Sequence, residues 1–385
     1  MKSLPHFFCL LISLFFLIVS NPRLLLADRP SLTPVSFSSL SFSSLTNSAS
    51  FENDIWNHRS ELILGIEDNI LFLDSDNGDR AYQKVLDPNI DRAWVRRSLL
   101  HLRRLLQTTR TSEALRDKLS REFQLYRSIG NDGEGTVKFT GYFQPIFEAR
   151  RSPTEEFHYP VYRAPENFES WPTPHPTRVR LEGYNGKGYQ SSPIRGHEIA
   201  WLKNRYDAFM IHVQGSALLE YQDGTKEAIG FSHGTAYPFR GISQSFLDQH
   251  QIPWPDLANF FSHNPDSLNQ LLARNNRFIF FKTLSSPDPL GSIGVPVIPE
   301  RSIATDKVQL PPGAIGLIRT KMPVSSSTGQ IELIQSSRLV LDQDTGSAIR
   351  GPGRVDLFMG TGEEARKKAN MMYSTGELFY LLSKA

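Results

Sequence analysis

Three aspartates stand out by their surroundings. Asp344 and Asp356 lie in Leu341-Asp342-Gln343-Asp344 and Val355-Asp356-Leu357-Phe358, each at the edge of an apolar run. Glycines at 346, 351, 353, 360 and 362 sit between and after them. Glycine lets a backbone turn sharply and approach a ligand closely, so a carboxylate beside such bends can project into a groove. Asp306 closes Ser302-Ile303-Ala304-Thr305-Asp306 in similar surroundings. Carboxyl groups so placed can carry general acid and base chemistry. Taken alone, each of these aspartates reads first as a turn or capping residue.

What the sequence lacks narrows the chemistry. It has no GxxxxGK[ST] phosphate cradle, no HExxH zinc helix and no GxSxG hydrolase elbow. The ten histidines are scattered without ligand spacing, so no metal site is expected. A single cysteine excludes a disulfide framework, a zinc ribbon and a CxxC redox pair. Lys and Arg total 42 against 40 Asp and Glu, a balance that argues against a general nucleic-acid binder. Carboxylate, aromatic and amide chemistry remain, the residue types that cut and hold carbohydrate. No cofactor is implied.

The elements that must position these residues are helical first and β later. At 385 residues, with 26 Gly and 25 Pro, the chain has room for two domains and many turns. Asp91 precedes an apolar stripe at Val95, Leu99, Leu102 and Leu106, which predicts an amphipathic helix. A second helix is expected through Leu115, Leu119, Phe123 and Tyr126 to about Gly130. Beyond it, Val137–Phe143, Ala208–Val213, Ser216–Tyr221, Arg277–Lys282 and Arg338–Leu341 read as short strands, with a tight hairpin at Asp223-Gly224. One more helix is expected near Glu363–Ser374.

The amino terminus reads separately. Lys2 followed by an apolar run from Phe7 to Val19, then Leu24-Leu25-Leu26-Ala27, has the layout of a secretory signal peptide over residues 1–27. Without it, 40 basic residues face 40 acidic ones and no cysteine remains, because Cys9 lies inside the apolar run. Nine of the twenty residues from Ser31 to Ser50 are serine, read as a flexible leader within 28–79.

Several stretches occur together in one order: Phe139-Thr140-Gly141-Tyr142-Phe143-Gln144-Pro145, Tyr159-Pro160-Val161-Tyr162, His212-Val213-Gln214-Gly215-Ser216, Asp223-Gly224, Arg277-Phe278-Ile279-Phe280-Phe281-Lys282, and the aspartate segments. In that combination the chain resembles the membrane-bound lytic murein transglycosylase A family, and its carboxyl-terminal third resembles the three-aspartate domain. The resemblance implies a mainly β protein with a helical amino-terminal part. A double-psi β-barrel domain would draw on residues 80–138 and 290–385, with a second β domain inserted at 139–289 and a groove between them.

The same resemblance implies cleavage of the β-1,4 bond between N-acetylmuramic acid and N-acetylglucosamine without water. The muramic C6 hydroxyl would attack its own C1, leaving a 1,6-anhydro end. On the matching motif the single acid/base falls on Asp356, with Asp344 supporting it and Asp306 more structural. Thr140, Tyr142 and Gln144 at the crossing between domains, with Gln214 and Ser216, would hold sugar; Lys282 would meet a lactyl or peptide carboxylate. Trp201 reads equally as a groove residue or a core residue. Peptidoglycan glycan strands are the expected partner of a monomer that is exported to the periplasm or associated with the outer membrane. No lipid-attachment cysteine follows the signal, which departs from the family and leaves membrane anchoring open. Two other readings stay open as well: a glycoside hydrolase on the same barrel, and a non-catalytic wall-binding protein.

Overall fold

The computed structural model describes residues 30–37, 54–87, 90–253, 256–326 and 328–384. The signal segment and most of the serine-rich leader lie outside the described residues. A short strand β1 (Leu32–Val35) is followed by four helices, α1 (Arg59–Leu73), α2 (Asp76–Tyr82), α3 (Arg92–Thr108) and α4 (Ser112–Glu122). Then come β2 (Phe123–Ser128), β3 (Val137–Gln144), β4 (Ile146–Arg150), β5 (Tyr159–Tyr162), α5 (Arg178–Glu182) and β6 (Glu198–Leu202). Helix α6 (Arg205–Gln214) leads into the hairpin β7 (Ser216–Tyr221) and β8 (Lys226–Gly234). Helices α7 (Gln244–His250), α8 (Leu257–His263) and α9 (Pro265–Ala273) precede β9 (Ile279–Thr283). The remainder is β10 (Ser302–Ala304), β11 (Ile315–Ser325), β12 (Ile331–Asp344), β13 (Arg354–Thr361), α10 (Gly362–Met371) and β14 (Tyr373–Ser383).

Six of these strands close on themselves in the order β14-β11-β12-β10-β13-β3, because β3 pairs with both β13 and β14. Two pairings, β10 with β12 and β13 with β3, are parallel within an otherwise antiparallel ring. This is the double-psi barrel, with β2 and β1 added outside β14. Leu317, Leu339, Leu341, Val355, Leu357 and Phe379 fill its core. The stripe on α3 packs into the same core, and Asp91 caps that helix by accepting from the Trp94 backbone N–H. Side chains of this kind each contribute roughly 1.5–3 kcal/mol when fully buried. The second sheet, β5-β6-β4-β7-β8-β9, begins at Ile146 and has its own core around Val161, Ala200, Ile211, Leu219 and Phe281. Among the described residues no helix is long and apolar enough to cross a membrane.

The sequence reading fails in three places for local reasons. Ala208–Val213 is part of helix α6, not a strand. Its buried residues Ala208, Ile211 and His212 follow a helical spacing that the continuous apolar run conceals, and Gly215 ends the helix at φ +81°. The second expected helix stops at Glu122, because Phe123 and Leu125 alternate with more exposed neighbours and pair with β1 and β14. Leu32–Val35, read as leader, is an edge strand on β2.

Candidate active site

β10 carries Ala304 between two longer strands. On one side it pairs with Asp344 of β12 and on the other with Asp356 of β13. Beyond β13 the same row continues to Thr140 of β3. The topology therefore brings together carboxyls from two strands and hydroxyls from a third, far apart in sequence. At a strand spacing of about 4.8 Å, Asp344 and Asp356 are roughly 10 Å apart at their backbones.

Asp356 is half-buried, and its Oδ1 accepts a hydrogen bond from the Thr140 hydroxyl at 2.7 Å. Among the described residues it has no salt-bridge partner. Burial pushes its carboxyl above the ordinary carboxylate range and the charge of Asp344 adds to the push, while the Thr140 bond and the charge of Arg354 oppose it. Asp344 is also half-buried, and three donors hold it: the Tyr142 hydroxyl at 2.8 Å, the Ser292 N–H at 2.9 Å and the Thr345 N–H at 2.8 Å. Burial raises its carboxyl too, against those bonds. Tyr142 reaches Asp344 by leaning over Phe358, with ring centroids 5.3 Å apart. Ser292 follows Gly291, whose missing side chain matters: a Cβ there would stand 2.3 Å from the Gln343 carbonyl oxygen.

The other expected residues divide. Asp306 turns inward, accepting from the N–H groups of Val308 and Gly351, so it anchors the loop between β12 and β13. Gly351 and Gly353 in that loop lie against Asn131, whose amide oxygen accepts from the Gly353 N–H, and Gly351 has φ +77°. These glycines allow close packing within the fold. Gln144 is 0% exposed and bonds the Pro287 carbonyl and the Thr361 hydroxyl. In this conformation it has no surface to offer a sugar. Gln214 accepts from the Phe143 backbone N–H at 3.0 Å, fastening the end of α6 to the strand that carries Thr140 and Tyr142. Ser216 is buried at the start of β7. Lys282 is exposed in a cleft of about 580 Å³ with Arg163, Glu166, Phe168, Glu227 and His233. That cleft contains no residue of β3, β12 or β13, so Lys282 stands apart from the aspartates. Trp201 is half-buried on β6, opposite Pro160.

Sequence reading missed what lies beneath these groups. Asp342 is 0% exposed and accepts from the Thr305 and Tyr380 hydroxyls and from Lys307. Thr305 in turn donates its N–H to the Asp344 carbonyl at 3.0 Å. A charged residue inside Leu339-Val340-Leu341-Asp342 is the signal that was available, since such a group is buried only with a partner. His212, in the same motif as Gln214, accepts from the Ile279 N–H through Nδ1. Burial and the Arg178 charge hold it well below the usual histidine range, so it is neutral and structural.

Comparison with known proteins bears on the family and the fold. Residues 138–282 match the MltA specific insert domain and residues 301–382 the 3D domain. Membrane-bound lytic murein transglycosylase A of Vibrio cholerae is 30% identical over 259 residues, covering 66% of this chain and 67% of the relative. The Escherichia coli K12 protein of the same name is 28% identical over the same length, with the same coverage. Among solved structures, a membrane-bound lytic murein transglycosylase from Agrobacterium tumefaciens shares the fold, with TM-score 0.68 and 22% identity over 92% of this chain and 98% of that one. E. coli MltA with bound chitohexaose does so with TM-score 0.65 and 23% identity, over 93% and 96%. On its two matched domains, its order of motifs and its barrel, this chain belongs to the membrane-bound lytic murein transglycosylase A family.

Proposed function

We propose that this protein is a peptidoglycan lytic transglycosylase in which Asp356 is the single acid/base. The observation that carries the reading is one half-buried carboxyl on a barrel strand, bonded among the described residues to Thr140 alone and raised by burial. Such a group keeps its proton nearer neutral pH than a free aspartate with pKa about 3.9. Asp356 protonates the oxygen that links muramic C1 to the next sugar, and that bond breaks. The C6 hydroxyl of the same muramic residue then bonds to C1 and returns its proton to Asp356. No water is added, and the carboxyl ends as it began. A nucleophile within the same sugar has the advantage of proximity over free water.

A hydrolase would need a second free carboxylate to activate water or attack the sugar. Asp344 is a poor fit for that task, because Tyr142, Ser292 and Thr345 already occupy its oxygens. Its negative charge supports the protonated state of Asp356 instead. Thr140 positions the acid, Tyr142 positions Asp344, and the second sheet, whose strands run from Ile146 to Thr283, supplies the far wall of the groove. Digestion of isolated sacculi, with mass spectrometry of the released muropeptides, tests the reaction. Ends lighter by one water than reducing muropeptides are expected. Reducing ends would point to a hydrolase, and binding without soluble product to a wall-binding protein.

A further inference from the structure

The row that carries Asp356 does not end at Thr140. Tyr373 of β14 is paired directly with Thr140, so Asp356, Thr140 and Tyr373 lie side by side on three adjacent strands. Residues opposed in this way present their side chains on the same face of a sheet. Tyr373 is 67% exposed, the opposite of what a barrel strand ordinarily does with a large aromatic. One step along the same face, Lys138 and Arg354 are paired with each other, and the Lys138 ammonium stands 4.5 Å above the Tyr373 ring. Both cations lie on the strands that hold the acid and its hydroxyl partner.

Among the described residues, Lys138 and Arg354 form no ion pair, and one terminal nitrogen of Arg354 is buried without a hydrogen-bond partner. Buried donors of that kind are uncommon, and each calls for an explanation. Asp356, two residues from Arg354 on β13, is the group the proposed reaction requires as an acid, so it does not serve as a counterion. We infer that Lys138, Arg354 and Tyr373 form a carboxylate-binding subsite beside the acid, the ring supporting a sugar face and the two cations receiving an acidic substituent. The inference rests on the proposed action on glycan strands. It adds that the strands are recognised through the acid they bear, either the lactyl carboxylate of muramic acid or carboxylates of an attached peptide. A sugar face on tyrosine and a charge-assisted bond to lysine or arginine are ordinary recognition chemistry.

The test measures binding in the Asp356→Asn background, where no turnover interferes. The probes are glycan strands stripped of peptide, which expose free lactyl carboxylates, peptide-bearing strands, and chitohexaose, which has no carboxylate. Lys138→Gln is expected to weaken binding of acid-bearing strands about tenfold more than binding of chitohexaose, and Lys138→Arg to restore most of it. Tyr373→Ala is expected to weaken all three, and Tyr373→Phe to retain them. The larger loss on stripped strands assigns the lactyl group, and on peptide-bearing strands the peptide. Equal losses on chitohexaose and acid-bearing strands, or no loss with Lys138→Gln, would overturn the inference. If the wild-type protein releases no product from sacculi, the proposed reaction fails while these binding measurements still decide the subsite.

Discussion

Asp356 sits between opposing influences of known sign. Burial and Asp344 hold its proton on, while the Thr140 hydroxyl favours the ionised form by donating to it. Thr140→Val keeps the shape and removes that donation. The carboxyl then rises further, so the acid form persists to higher pH and the alkaline fall in kcat/KM moves upward. Turnover at the optimum drops by roughly three- to tenfold, because the acid loses its fixed orientation. A pH–rate profile of the variant checks both, and an alkaline limb that stays put or moves downward would contradict this role. Tyr142 illustrates what residue type alone leaves unsaid. Its ring suggests stacking on sugar, yet its hydroxyl is committed to Asp344 and its ring to Phe358.

At the scale of elements, the loop after β10 is stiffened from below. Lys307 and Thr305 converge on Asp342, and Thr305 also holds the backbone of Asp344. Removing one partner of a buried pair leaves an uncompensated charge, at a cost of about 3–5 kcal/mol. Lys307→Met should therefore lower the denaturant midpoint markedly, and Lys307→Met with Asp342→Asn should recover much of it. The unpaired carboxyl would bind its proton more tightly in the folded chain than in the unfolded one. The folded state then holds more protons, so the deficit widens as pH rises from about 4. A loss under about 1 kcal/mol in the single variant, read from urea unfolding across pH, would show that the pair does not stiffen the loop. Much at this scale was legible. The alternation in Val137–Phe143 and the apolar runs before Asp344 and at Asp356 mark strands that form as expected. Helix α6 was not legible, because a continuous apolar segment carries both periods until its neighbours choose one.

The whole molecule is what makes a site of these strands. Tyr142 and Asp344 are 202 residues apart, and Thr140 and Asp356 are 216 apart. No local pattern reports such contacts. They follow from the parallel register of β3 on β13 and from closure of the barrel through β14, both fixed only when the chain is complete. Motif order singled out Asp306, Asp344 and Asp356 and read Asp306 as the more structural, but it could not report that Asp306 accepts from Val308 and Gly351 while Asp356 meets Thr140. The crossing between the two sheets is fastened by Gln144 and Gln214, a structural task for amides at this place. One comparison bears most directly on the central claim: Asp356→Asn against the wild-type protein on intact sacculi, with folding verified by circular dichroism. The account predicts anhydro-ended products from the wild type and release at least about a hundredfold slower from the variant. A variant that kept a tenth or more of the wild-type rate, while folded, would contradict it.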